Sequence, residues 1–213
     1  MFMEITVFFS SKEHPVYPHL LRWQKKESDS HNIHLTNKST GIQNGDILFL
    51  IACGEIVKND VRSRFKKTLC VHESDLPKGR GWSPVVYSIL KNERKIFITL
   101  FEAGDKIDSG DIWKKIFFEI DEHELADEIN QKVSLKTIEL MNFAINDFDS
   151  IKPVTQNSNN ATYLQRRTPE DSELDVKKSI AEQFNLFRIA DENRYPCFFY
   201  YKGHRYKLSI KKF

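Results

Sequence analysis

Apolar runs and helically spaced apolar positions alternate along this chain. EITVFF (4–9) is almost continuously apolar, as expected of a strand covered on both faces. Pro15 then opens a helix through PHLLRWQKK. NIHLT (32–36) is a weaker strand and DILFLIAC (46–53) a second buried one, followed by a short helical stretch from Val57 to Phe65. TLCVH (68–72) reads as the next strand, Ser83 to Leu90 as a helix, and KIFITLFEA (95–103) and IWKKIFFEI (112–120) as two more strands. From Glu122 to Phe148 the apolar residues Leu125, Ile129, Val133, Ile138 and Met141 fall at helical spacing, which predicts the longest helix.

Beyond that helix the pattern changes. SIKPVTQNSNNATY (150–163) is polar and irregular and reads as a linker. TPEDSELD predicts a helix start, with Thr168 as N-cap, Pro169 at the first position and Asp171 three residues on. FNLFRIAD continues helical, and PCFFYYKGHRYKLSI predicts a hairpin turning at Lys202-Gly203. Strands alternating with helices point to an α/β fold with a Rossmann-like, mostly parallel sheet and a small C-terminal helix plus β-hairpin extension. The expected division is a domain over residues 1–150 and an extension over 151–213.

Composition narrows the class. The chain has 213 residues, 40% hydrophobic and 29% charged, with 32 basic residues against 30 acidic. A net charge of +2 supplies no footprint for nucleic acid, and the basic end KGHRYKLSIKKF is accounted for by a charged edge strand. Cys53, Cys70 and Cys197 are an odd number at wide spacing with no CxxC pair, so neither a disulfide framework nor a metal site is expected. The longest purely apolar run, ILFLIAC, is too short for a membrane span, and the first residues read as a strand without a leader. These features predict a reduced, cytoplasmic protein.

Candidate chemistry concentrates in one region. Gly79, Gly81, Gly104 and Gly110, half of the eight glycines, fall close to His72, Asp75, Asp105, Asp108 and Asp111. Glycine gathers where backbone turns sharply or comes close to a ligand. The loops 73–83 and 103–111 each follow a predicted strand, so both are expected to open on one sheet edge. That would join a histidine to an aspartate, a usual device for proton transfer. From the residues alone, other roles fit as well. A histidine at a strand end is commonly structural, DSGD suits a simple Asx turn, and Trp82 and Pro84 suit packing. Spacing does not choose between these.

Resemblance does. The stretch His72-Glu73-Ser74-Asp75-Leu76-Pro77-Lys78-Gly79-Arg80-Gly81-Trp82-Ser83-Pro84 resembles the signature of formyltransferases that use N10-formyltetrahydrofolate. TLFEA (99–103) and KIDSGDI (106–112) resemble the second motif of that family, whose Asp-x-Gly supplies the essential acid. YLQRRTPEDSELD (163–175), continued by Arg188 and Tyr195-Pro196, resembles the segment after the catalytic domain in methionyl-tRNA and sugar N-formyltransferases. The resemblance implies that His72 takes the amine proton and that Asp108 orients it. It also implies that Ser74, Leu76, Pro77, Lys78, Gly79, Arg80, Gly81, Trp82, Glu102 and Asp105 line the folate and substrate sites.

Among the branches, a glycine-rich phosphate loop is missing after the first strand, where SSKEHPVYP stands. The segment after the linker is short for a tRNA-binding domain. RGWSP and RRTPEDS look most like the sugar N-formyltransferases. That branch implies a nucleotide-linked amino sugar as partner, a dTDP-linked one by expectation, in surface polysaccharide synthesis, and a homodimer joined through the C-terminal hairpin. Other branches, the methionyl-tRNA type among them, remain the alternative. One position departs from the family pattern. The family carries an asparagine two residues before the histidine, and here that place is Cys70. Three readings stay open: a substitute donor such as Ser74 or a backbone N–H, catalysis by His72 and Asp108 alone, or a ligand-binding relative without activity.

Overall fold

The computed structural model describes all 213 residues. Six strands form one sheet: β1 (Glu4–Phe9), β2 (Asn32–Thr36), β3 (Gly45–Ile51), β4 (Phe65–His72), β5 (Lys95–Glu102) and β6 (Ile112–Glu119), in the order β2-β1-β3-β4-β5-β6. The first four run parallel, whereas β5 is antiparallel to β4 and β6 antiparallel to β5. The expectation of a mostly parallel α/β sheet holds, with an antiparallel pair on one edge.

The helices α1 (Tyr17–Glu27), α2 (Pro84–Leu90) and α3 (Ala126–Asn146) pack on one face. There Leu20, Trp23, Ile89, Met141 and Ala144 bury against Val7, Phe49, Leu69, Val71, Ile98 and Leu100. Burial of such side chains is worth roughly 1.5–3 kcal/mol each. Alternation along a strand sends every second residue to the opposite face. On that face Phe8, Leu48, Leu50 and Cys70 meet Ile42 and Val57 from the connecting loops, with no long helix over them. This second face carries the site.

Three expectations need correction. The helical stretch from Val57 to Phe65 is a single turn, Asn59–Arg62, because the chain returns to the sheet at Phe65. The helix expected to start at TPEDSELD and run on is a short 3-10 turn, Pro169–Ser172, in which the Asp171 carboxylate accepts the Thr168 N–H at 2.6 Å. Helix resumes only at α4 (Phe184–Arg188). Finally, loops 73–83 and 103–111 do not leave the same sheet edge, since β5 runs opposite to β4. The hairpin, β7 (Cys197–Tyr201) and β8 (His204–Leu208), forms as expected. Lys202 and Gly203 have φ of 48° and 83°, the positive values of a two-residue turn that follows the strand twist. It packs through Cys197 on Leu174 and Phe187 in a small core of its own.

Candidate active site

Strand β4 presents Thr68, Cys70 and His72 on one face, because residues two apart in a strand point the same way. His72 is buried at 8% exposure, and its Nε2 lies 2.8 Å from the Gly79 carbonyl oxygen. A carbonyl only accepts, so Nε2 carries the proton and Nδ1 holds the lone pair of the neutral ring. Asp108 Oδ2 is 3.6 Å from the same Nε2 and accepts the Gly81 N–H at 2.8 Å. The histidine and the aspartate therefore meet, by a route the sequence concealed. Antiparallel β5 ends beside Leu69, and the following loop folds back along β4 to reach His72.

The loop after His72 is tied on several sides. Thr99 Oγ1 donates to the Ser74 carbonyl at 2.7 Å, and Lys115 Nζ reaches the Asp75 carboxylate at 2.5 Å and the Leu76 carbonyl at 2.7 Å. Residues 163–164, where the stretch read as a linker (150–163) ends, pair in parallel with Arg80-Gly81. Gly79 N–H donates to Thr162 Oγ1 at 2.8 Å, Arg80 N–H to the Thr162 carbonyl at 2.9 Å and Trp82 N–H to the Leu164 carbonyl at 3.2 Å. Gly81 has φ of 99°, and a Cβ there would stand 2.6 Å from the Leu164 carbonyl oxygen. Only glycine suits that position.

Of the expected ligand-lining residues, Ser74, Leu76, Pro77, Lys78, Gly79 and Gly81 all lie on this loop, with Lys78 exposed and Leu76 fully buried. Trp82 is 39% exposed, its ring under the Arg166 guanidinium at 4.8 Å. Arg80 turns inward to 2% exposure, where Nη2 donates to Gln156 Oε1 at 2.7 Å and Nη1 to the Tyr163 hydroxyl at 3.1 Å. Glu102 is not brought to His72. It shares the helix-covered face with its cross-strand partner Leu69 and accepts from Lys67 at 2.6 Å and Trp113 at 2.9 Å. Asp105 lies at the protein surface, paired with Arg62.

Cys70 lies below His72, its thiol pushed far above the ordinary range by burial and, next, by the charge of Asp108. A thiolate is thereby disfavoured, and the neutral thiol is a weak donor. Burial likewise raises the Glu73 carboxyl. The Ser74 and Thr68 hydroxyls are buried without a partner. Buried polar atoms normally find one, and these two are enclosed by the protein, Thr68 two residues behind Cys70 and Ser74 two beyond His72.

From Trp82 and Ser83 a cleft of about 1380 Å³ runs between α1, α2, the start of α3 and residues 166–169 and 188–195. Gln156 and Thr162 escaped sequence reasoning, because nothing in a polar, irregular stretch marks which residue turns inward. The family-like block beginning at Tyr163 was the nearest signal.

A mixed α/β sheet here brings a histidine and an aspartate together under a glycine-bearing loop, an arrangement suited to proton transfer. The family follows directly: residues 5–145 match the formyl transferase family, and the chain belongs to it. Methionyl-tRNA formyltransferase of Rickettsia africae (strain ESF-5) is 32% identical over 149 residues, 69% of this chain and 48% of that protein. The chain thus spans about half the length of the curated relatives it matches. Among solved structures, methionyl-tRNA formyltransferase from Clostridium thermocellum superposes with a TM-score of 0.84 at 21% identity, over 99% of this chain and 93% of that one. HypX from Aquifex aeolicus in complex with tetrahydrofolic acid gives 0.80 at 17%, over 98% and 37%. A 4-N formyltransferase from Francisella tularensis gives 0.72 at 19%, over 98% and 97%. At these identities the structures establish the fold. No helix is long and apolar enough to cross a membrane.

Proposed function

We propose that this chain transfers a formyl group from N10-formyltetrahydrofolate to the amine of a nucleotide-linked dideoxyamino sugar, dTDP-linked by preference, in the synthesis of bacterial surface polysaccharide. The observation that carries the reaction type is the convergence of His72 Nε2 and Asp108 Oδ2 at 3.6 Å under the Gly79–Gly81 loop. When bound, the folate supplies an activated one-carbon unit. Pro77 and Gly79, both partly exposed, would hold it, with Ser74 and Leu76 buried behind them, and Gly79 lacks the Cβ that would stand 3.0 Å from Ser74 Cβ.

His72 keeps its Nε2 proton on the Gly79 carbonyl and offers Nδ1 to the proton shed by the acceptor amine. Asp108 supports the resulting positive ring and, through the Gly81 N–H, is itself kept in place. Proton transfer placed in this way is worth roughly 10²–10⁴ in rate. Charge building on the formyl oxygen meets a weak donor at Cys70, and the Ser74 hydroxyl or a backbone N–H is the candidate to assist it.

The acceptor class is supported by the cleft beginning at Trp82. Its lining holds Trp82 with the Arg166 guanidinium 4.8 Å from the ring, together with Arg22 and Tyr195, groups that suit a base and phosphates joined to a sugar. In the same reading two copies associate through the β7–β8 hairpin, where Tyr200, Tyr201 and Tyr206 are exposed. The relatives named methionyl-tRNA formyltransferase favour a second acceptor. One panel decides: N10-formyltetrahydrofolate with dTDP-, UDP- and GDP-linked amino sugars and with methionyl-tRNA, following release of tetrahydrofolate. Formylation of a sugar amine is the expected result; formylation of methionyl-tRNA alone would overturn the acceptor, and no release with any amine would overturn the enzyme. His72→Asn is expected to lower kcat by roughly 10²–10⁴, and full activity in that variant would remove the mechanism.

A further inference from the structure

We infer that Gln156 is a positioning residue for Asp108, and that Arg80 holds Gln156 in place. This rests on the reading that Asp108 serves His72.

Asp108 has φ of 48°, in the left-handed region that aspartate enters more readily than most residues with a side chain, in a turn whose two carbonyls need donors. Gln156 supplies them. Its Nε2 donates to the Asp108 carbonyl at 3.0 Å and to the Gly110 carbonyl at 2.7 Å, spanning the turn from both sides. Its Oε1 accepts from Arg80 Nη2 at 2.7 Å. The amide is thereby oriented without ambiguity. Turned over, its oxygen would face two carbonyl oxygens and its nitrogen a guanidinium that only donates. Gln156 is 7% exposed, in a stretch that no helix or long strand fixes.

Arg80 closes a ring around the aspartate. Its guanidinium reaches the backbone of Asp108 through Gln156, while the N–H of the next residue, Gly81, binds the Asp108 carboxylate. Backbone and carboxylate are thus held from one two-residue strand, which itself leans on Thr162 and Leu164. Loosening Gln156 frees the turn, and the carboxylate leaves both Gly81 and His72. Misplacement by about 1 Å in an active site can cost on the order of 100-fold in rate.

The test compares the full chain with Gln156→Ala, Gln156→Glu, Asp108→Asn and the Gln156→Ala/Asp108→Asn double variant. The first readout is the amide resonance of Gly81 in ¹H–¹⁵N spectra, which reports its bond to the carboxylate. Asp108→Asn is expected to shift it upfield, Gln156→Ala to shift it in the same direction by at least half as much, and the double variant no further. The second readout is transfer to the amine established by the panel. Gln156→Ala is expected to lower kcat by roughly 10- to 100-fold, with KM for N10-formyltetrahydrofolate within about twofold, and to cost little in the Asp108→Asn background. Should Gln156→Ala fail to fold, Gln156→Glu keeps the volume and the acceptor for Arg80 while removing both donors. An unmoved Gly81 resonance, or costs that add across the double variant, would overturn the inference. Wild-type activity in Asp108→Asn would instead sink the reading beneath it, and the Gly81 resonance would still report whether Gln156 holds Asp108.

Discussion

At the scale of single residues, a thiol at position 70 decides what the end of β4 can offer. An asparagine amide donates firmly to a developing negative charge, whereas a partly buried neutral thiol donates weakly. Cys70→Asn is therefore expected to raise kcat, by up to about tenfold given that one such donor is worth on the order of 10²–10³ when nothing replaces it. An unchanged or lower kcat in a folded variant would show that Ser74 or a backbone N–H already fills the place. The raised thiol also predicts that iodoacetamide at pH 8 leaves Cys70 unmodified in the native protein and labels it after unfolding in urea, read by mass spectrometry. The approach of His72 to Asp108 was expected from the resemblance to the family motifs, which also marked Cys70 as the departure, whereas residue type alone left several roles open. The direction taken by Arg80 was not legible. A charged residue between glycines looks like surface, and only the Gln156 oxygen and Tyr163 hydroxyl, 76 and 83 residues away, explain its burial.

At the scale of elements, the join between Arg80-Gly81 and Tyr163-Leu164 (163–164) does more than its length suggests, since it links the loop after β4 to the chain beyond α3. Gly81→Ala places a Cβ 2.6 Å from the Leu164 carbonyl oxygen at φ of 99°. The expected cost is roughly 1–3 kcal/mol, seen as a lower urea midpoint, together with a fall in kcat because the N–H that binds Asp108 moves. Wild-type values for both would show that the loop tolerates a different path. Every strand of the sheet was legible, most from an apolar run and β2 and β6 from weaker patterns, yet the direction of β5 was not. An apolar strand reads alike in either direction, and only pairing tells β5 from a fifth parallel strand. The long helix α3 was legible because its apolar stripe persists over many turns. The Pro169–Ser172 turn mimicked a helix start, since Thr168, Pro169 and Asp171 are good capping chemistry with no apolar stripe behind them to continue it.

At the scale of the whole molecule, the first loop and the C-terminal segment close on each other around His14. Its ring accepts the Val16 N–H at 3.2 Å, and the Asp191–Arg194 pair lies close by. Burial, helped by the positive Arg194 and opposed by Asp191, lowers the His14 pKa from 6.5 to about 4. The unfolded chain therefore binds a proton that the folded chain refuses between those values. The sign follows: the native state is favoured above pH 6.5 and loses stability as pH falls toward 4. At pH 5 the loss from this one group is on the order of 2 kcal/mol. Urea midpoints at pH 7 and pH 5 should differ accordingly in the wild-type chain. His14→Asn removes the titrating ring and should reduce that difference, whatever its own stability at pH 7. A difference as large in the variant would mean that other groups govern the acid limb. His14 lies within electrostatic reach of Asp191 and Arg194, and the neighbouring Pro15 and residues 188–195 both line the cleft. A second measurement at pH 5 should then find substrate affinity falling together with stability, and both should recover in His14→Asn if that proximity is what acid loosens.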